Sequence, residues 1–149
     1  FLILESFQAG LSWFTILKKR ENFRKAFADF DVKKVASFDE TKIEELVQNE
    51  GIIRHRGKIS AAINNAKLFI DIQKEFGSFS DFIWKYVDHK PIVNNWESIK
   101  DVPATTEISD QIAKDLKKRR FKFFGSTTIY AHMQATGMVN DHTTDCFCK

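Results

Sequence analysis

Between Ile59 and Ile70 the apolar residues Ile59, Ala62, Ile63, Ala66, Phe69 and Ile70 recur three and four positions apart. Such spacing lays one stripe along a helix of 3.6 residues per turn, and a strand, with its period of two, cannot present it to one side. The spacing predicts a helix that runs to Gly77, where a glycine can take the left-handed backbone that ends it. Similar spacing recurs through the chain and no convincing period-two alternation does, so the expected class is all-α. Residues 1–9 read as a helix interrupted at Gly10. Ser12 is placed to cap a second helix through about Ala28, with Ile16, Phe23 and Phe27 among its apolar positions. Ser37-Phe38-Asp39-Glu40 fits a capping box that opens a helix bearing Ile43, Leu46 and Val47 on one face. Ser80 is expected to cap a short helix through Val87. Further helices are expected over Ser109–Lys118 and Ser126–Thr136, the latter closed by Gly137. Residues 89–106, with Pro91, Pro103 and two adjacent asparagines, read as a long loop.

At 149 residues, 43% hydrophobic and 29% charged, the chain has the makeup of one soluble globular domain spanning 1–149. No apolar run is long enough for a transmembrane helix, and no signal-peptide pattern opens the chain. Cys146 and Cys148 are too close for an ordinary disulfide, so a reducing cytoplasm is expected. The net charge of +3 allows a polyanion partner without demanding one. The cations gather at 18–20, 54–58 and 117–122, which form either one face or three separate solvated patches. The chain opens on Phe1-Leu2-Ile3-Leu4 with no methionine, and residues upstream of Phe1 are expected to be missing.

Four stretches carry residue types suited to chemistry. In Gly51-Ile52-Ile53-Arg54-His55-Arg56-Gly57-Lys58-Ile59 a glycine-bearing turn joins two helical segments. The N–H groups of such a turn, at the positive end of the following helix, can hold a phosphate oxygen. Gly51 lets the backbone approach closely, Arg54, His55, Arg56 and Lys58 form its basic run, and Ile52 and Ile53 anchor it. A plain helix–helix turn with solvent-facing cations fits the same residues. Glu5 lies in the greasy Leu4-Glu5-Ser6-Phe7, either buried with a partner and fit for ligand recognition or acid–base work, or facing water. In Gln8-Ala9-Gly10-Leu11-Ser12-Trp13, Leu11 at the tip of a glycine turn suits a wedge between bases, with Trp13 as an aromatic platform. Packing at a helix junction explains that pair equally well. Finally, His142 and Cys146 are spaced to share a helix face, and imidazole with thiolate suits zinc. Two ligands make half a tetrahedral site, and Cys148 is a third ligand or a bystander.

Taken with Leu17-Lys18-Lys19-Arg20-Glu21-Asn22, Phe121-Lys122-Phe123 and Val139-Asn140-Asp141-His142, these stretches closely resemble the bacterial 3-methyladenine DNA glycosylase I family. The resemblance covers the chain from Phe1 to Cys148 in order. It implies an all-α helix-hairpin-helix glycosylase fold, with the hairpin around residues 39–76. It implies monofunctional excision of 3-methyladenine from alkylated double-stranded DNA in the cytoplasm, by a monomer with no membrane role. Glu5 matches the family's pocket carboxylate, the catalytic and base-binding group, and Trp13 a pocket aromatic. Gly10 and Leu11 match the loop that probes the gap left by the flipped nucleotide, while Gly51, Arg54, His55, Arg56 and Lys58 fall in the DNA-gripping hairpin. His142 and Cys146 match two of four structural zinc ligands, the other two lying in an N-terminal segment this chain lacks. Phe7 departs from a glutamine. Asp71 lies near the position of a catalytic aspartate in related glycosylases and reads as a helix-surface residue, a group the resembled family dispenses with. The other reading is a non-catalytic helix-hairpin-helix DNA-binding module.

Overall fold

The computed structural model describes residues 1–149. Nine α-helices make up the body: α1 (Leu2–Gln8), α2 (Trp13–Lys18), α3 (Arg20–Ala26), α4 (Val32–Ala36), α5 (Glu40–Val47), α6 (Arg56–Phe76), α7 (Phe79–Trp84), α8 (Glu107–Lys118) and α9 (Ser126–Ala135). The all-α expectation holds for this body. One departure is a short parallel pair of strands, β1 (Ile92–Val93) and β2 (Val139–Asn140), in register Ile92 to Val139. The residues expected as a loop thus contribute β1 and a single 3₁₀ turn, Ile99–Asp101. Two-residue strands leave no alternation to read from a sequence.

Caps set most boundaries. The Ser12 hydroxyl accepts the Thr15 N–H and starts α2. The single helix expected through Ala28 breaks at Lys19, whose φ of −98° and ψ of 3° leave the helical region, and α3 continues after it. The expected capping box at Ser37 is not formed. Ser37 donates its hydroxyl proton to the Lys34 carbonyl at the end of α4, and Asp39 caps α5 by accepting the Lys42 N–H. Helix α4 itself, capped by Asp31, was not legible in the sequence. Ser78, not Ser80, caps α7, because its hydroxyl takes the Asp81 N–H. Thr106 and Ser109 cap α8 reciprocally, so it begins two residues earlier than expected. Gly77 (φ +88°) and Gly137 (φ +77°) end α6 and α9 in the positive-φ backbone that glycine adopts freely.

The core has two parts joined by α6. Ile59, Ala62, Ile63 and Ala66 pack with Leu4, Phe7, Phe23, Phe27 and Leu46. Further along, Ile72 packs with Phe82, Ile112, Leu116, Ile129 and Met133. Helix α1 crosses the junction, its Leu2 touching the second cluster and its Leu4 and Phe7 buried in the first. No helix is long and apolar enough to cross a membrane.

Candidate active site

Of the two carboxylate environments open to Glu5, the structure selects the buried one. Its side chain is 3% exposed, and Oε2 lies 2.8 Å from Nδ1 of His132 on α9. A buried carboxylate is costly without such a partner. Glu5 forms part of the wall of a cavity of about 690 Å³ shared with Gln8, Trp13, Ala135, Asp141 and His142. Trp13 reaches it from the first turn of α2. Phe7, two residues along α1, turns the other way and packs edge-on against Phe23 at 4.8 Å between ring centroids. The residue at position 7 therefore belongs to the core rather than to the cavity.

Asp141 closes the far wall. Its Oδ1 accepts from Asn94 Nδ2 (2.8 Å) and Trp96 Nε1 (2.7 Å), and its Oδ2 from Tyr130 Oη (2.5 Å) and Gln134 Nε2 (2.9 Å). Burial works to raise this carboxyl, but the four hydrogen bonds together outweigh it and hold the group below its ordinary value. Tyr130 is pushed up by burial and by the same contact. Both oxygens of Asp141 are thus taken up by donors of the protein, whereas Glu5 makes a single side-chain hydrogen bond.

The turn after α1 is shaped as a projecting tip. Gly10 has φ +78°, and a Cβ there would meet nothing within 4 Å, so the glycine serves the backbone conformation alone. The Leu11 N–H donates to the Gln8 carbonyl at 2.7 Å, and the Leu11 side chain is 39% exposed beside exposed Phe14 and Leu17. A leucine held out on a tight turn suits a wedge.

The hairpin after α5 departs in detail from the sequence reading. His55 caps α6 by accepting the Lys58 N–H at Nδ1 (3.1 Å). The amides of Ile53, Arg54, Arg56 and Gly57 are left without intramolecular acceptors at the start of a 21-residue helix. This is the arrangement that binds a phosphate oxygen. Arg54 is exposed, with only a loose contact to Glu50 at 3.8 Å. Three residues are used otherwise than expected. Lys58 is buried and its Nζ donates to the carbonyls of Phe7 (2.9 Å) and Ala9 (2.6 Å), so it braces the α1 turn and does not face a backbone phosphate. Arg56 bridges to Glu40 (2.6 Å) and Glu44 of α5. Gly51 gives close approach not to a ligand but to Asn22 and Asn49, whose atoms a Cβ would meet at 3.0–3.2 Å.

The three cationic clusters meet at their edges, while Arg119 pairs with Glu75 near the far end of α6. Lys19 donates to the Glu50 carbonyl (3.2 Å), and Phe123 packs edge-on against His55 at 6.3 Å. Asn65 of α6 holds the Lys122 backbone at both its N–H (3.0 Å) and its carbonyl (2.9 Å). Asp71 is exposed, as its helix-surface reading expects.

His142 and Cys146 do come together, but on a turn rather than a helix face. Their Nδ1 and Sγ atoms are 3.4 Å apart. A tetrahedral zinc with ordinary nitrogen and sulfur bond lengths sets its ligands about 3.5 Å apart, so the pair fits one edge of such a site. No third histidine, cysteine or carboxylate gathers with them, and Cys148 is exposed.

Sequence reasoning missed His132 and Asp141. A histidine among Ile129, Tyr130 and Met133 gives no local sign of a partner in α1, and Asp141 shows its donors only once β1 and β2 pair.

The comparisons agree with this geometry. The family model described as methyladenine glycosylase matches residues 1–149. The DNA-3-methyladenine glycosylase of Haemophilus influenzae is 51% identical over 148 residues, 99% of this chain and 80% of that protein. DNA-3-methyladenine glycosylase 1 of Escherichia coli is 50% identical over 147 residues, again 99% of this chain and 79% of that protein. A solved structure of a variant of 3-methyladenine DNA glycosylase I in complex with 3-methyladenine superposes with a TM-score of 0.96. Its sequence is 40% identical, over 99% of this chain and 80% of that one. Since the match runs from Phe1 to Lys149, the chain belongs to the methyladenine glycosylase family.

Proposed function

We propose that the chain is a monofunctional DNA glycosylase of base-excision repair, which hydrolyses the N-glycosidic bond of 3-methyladenine in alkylated double-stranded DNA. The observation that carries this is Glu5, a buried carboxylate in the wall of a cavity with room for a purine base, which Trp13 also lines. The free hairpin amides of Ile53, Arg54, Arg56 and Gly57, with the Arg54 side chain, take the DNA backbone. Leu11 enters the stack as the damaged nucleotide swings out. Methylation at N3 makes the base cationic, so Glu5 attracts it by charge and by hydrogen bonding, and Trp13 offers a π face. The bond between C1′ and the base nitrogen then breaks with its electron pair going to the base, which leaves neutral. Water adds to C1′ and gives its proton to solvent, leaving an abasic site. Because the leaving group departs uncharged, binding and orientation supply most of what this reaction needs.

His142 and Cys146 would supply two ligands of a structural zinc site, and the ion would brace the turn that carries them. The enzyme acts as a monomer in the bacterial cytoplasm, where its substrate lies.

Release of free 3-methyladenine from methylated duplex DNA tests the reading. Wild type is expected to release it, and Glu5→Gln to retain under a tenth of the rate. Binding of an abasic duplex without any base release would instead identify a DNA-binding module.

A further inference from the structure

Glu5 has one side-chain partner, His132, and the pair bridges two cavities. Glu5 borders the 690 Å³ cavity, while His132, 6% exposed, borders a second of about 350 Å³ across α1, lined by Ile3, Ser6, Ala62, Phe69 and Phe121. An ionised carboxylate can only accept, so with Glu5 in that form the 2.8 Å contact requires the proton on Nδ1 of His132. Every fully buried polar side-chain atom has a partner. Glu5 Oε1 and His132 Nε2 have none, so each is open to its own cavity. Its neighbours on α9, Ile129 and Met133, are wholly buried, so the helix that carries the ring is seated in the core.

We propose that His132 is the positioning residue for Glu5. Its Nδ1–H pins Oε2, sets the plane of the carboxylate, and leaves Oε1 as the one acceptor offered to a donor on the cationic purine. A neutral imidazole donor orients Glu5 without cancelling the charge that attracts the base; an arginine or lysine here would cancel it. Pinning the carboxylate beforehand also removes rotamer freedom that binding would otherwise have to remove. This inference rests on the reading of Glu5 as the base-recognising carboxylate.

The test uses His132→Phe, which keeps a planar ring without a donor, and His132→Asn, whose amide can stand near the Nδ1 position. Affinity for free 3-methyladenine, kcat and KM on methylated duplex, affinity for an abasic duplex, and the melting temperature are measured on each. Nitrogen-15 spectra of the wild-type histidines report the tautomer independently of any variant. Expected are a wild-type His132 protonated at Nδ1 whose signal shifts on adding the base, and a His132→Phe variant weakened about tenfold for the free base with unchanged abasic-duplex affinity. Recovery to within about threefold of wild type in His132→Asn completes the pattern. A wild type that binds and releases 3-methyladenine, with His132→Phe matching it or His132 protonated only at Nε2, overturns the positioning role alone. A wild type that neither binds nor releases the base overturns the reading of Glu5 and this inference with it.

Discussion

Lys58 Nζ lies 2.6 Å from the carbonyl oxygen of Ala9, joining the second helix of the hairpin to the turn that presents Leu11. A second bond to the Phe7 carbonyl makes the ammonium a cap on the C-terminal end of α1, where the helix dipole favours a cation. Burial nonetheless draws this lysine below its ordinary value. Lys58→Met should therefore disturb the wedge more than the pocket. Excision from duplex DNA is expected to fall at least tenfold, while excision from methylated single strands, which need no wedge, falls less than threefold. Equal losses on both substrates would show that the brace serves the whole fold and not the turn.

Asp141 predicts an acid response with a definite sign. Its carboxyl is held below its ordinary value in the fold, so its contribution is fully present above the unfolded value of about 3.9 and is lost as pH falls through the folded one. Wild type should thus lose order around β1 and β2 only below about pH 4. Asp141→Asn, which sets an amide against donor groups, should lower stability by about 2–4 kcal/mol at neutral pH and remove that acid step. Urea unfolding at pH 7 and at pH 3.5 measures both.

Arg54 and Arg56 should separate in DNA binding although both belong to the basic run. Arg54→Ala is expected to reduce the magnitude of the salt-dependence slope for an abasic duplex by about one. Arg56 is engaged with Glu40 and Glu44, so Arg56→Ala should leave the slope unchanged and change stability little, as exposed ion pairs do. Anisotropy titrations at several salt concentrations check the pair. A full unit of slope lost on Arg56→Ala would mean that phosphate displaces the two glutamates.

Two glycines should resist substitution for different reasons. A Cβ on Gly51 would press on Asn22 and Asn49, so Gly51→Ala is expected to lower stability by about 1–3 kcal/mol. Gly10 has open space but φ +78°, so Gly10→Ala costs about 1–2 kcal/mol through its backbone and shifts the Leu11 tip. Melting curves are expected to fall for both, and duplex excision to fall out of proportion only for Gly10→Ala.

The sequence carried the long helices well because Ile59 to Ile70 encode their own face, and the capping of α2 by Ser12 needs only neighbours. It carried caps poorly where several candidates crowd together: Ser37, Asp39 and Glu40 compete, and the choice depends on where the preceding helix ends. Glu5 and Trp13 were legible as candidates because a carboxylate among apolar residues and a tryptophan behind a glycine turn are locally odd. Lys58 was misassigned because a lysine in a basic run carries no sign that its neighbour in space is the carbonyl of Ala9. His132 was invisible for the same reason, its partner lying in α1.

Glu5 and His132 are 127 positions apart, so a growing chain carries Glu5 long before the ribosome adds its partner. The hairpin, whose partners Phe7, Ala9, Lys19 and Asn22 all precede it in the chain, can form well before that. A growing chain would gain its grip on the phosphate backbone first and its ability to recognise a damaged base last. Chains cut short before α9 would carry Glu5 without the imidazole that holds it.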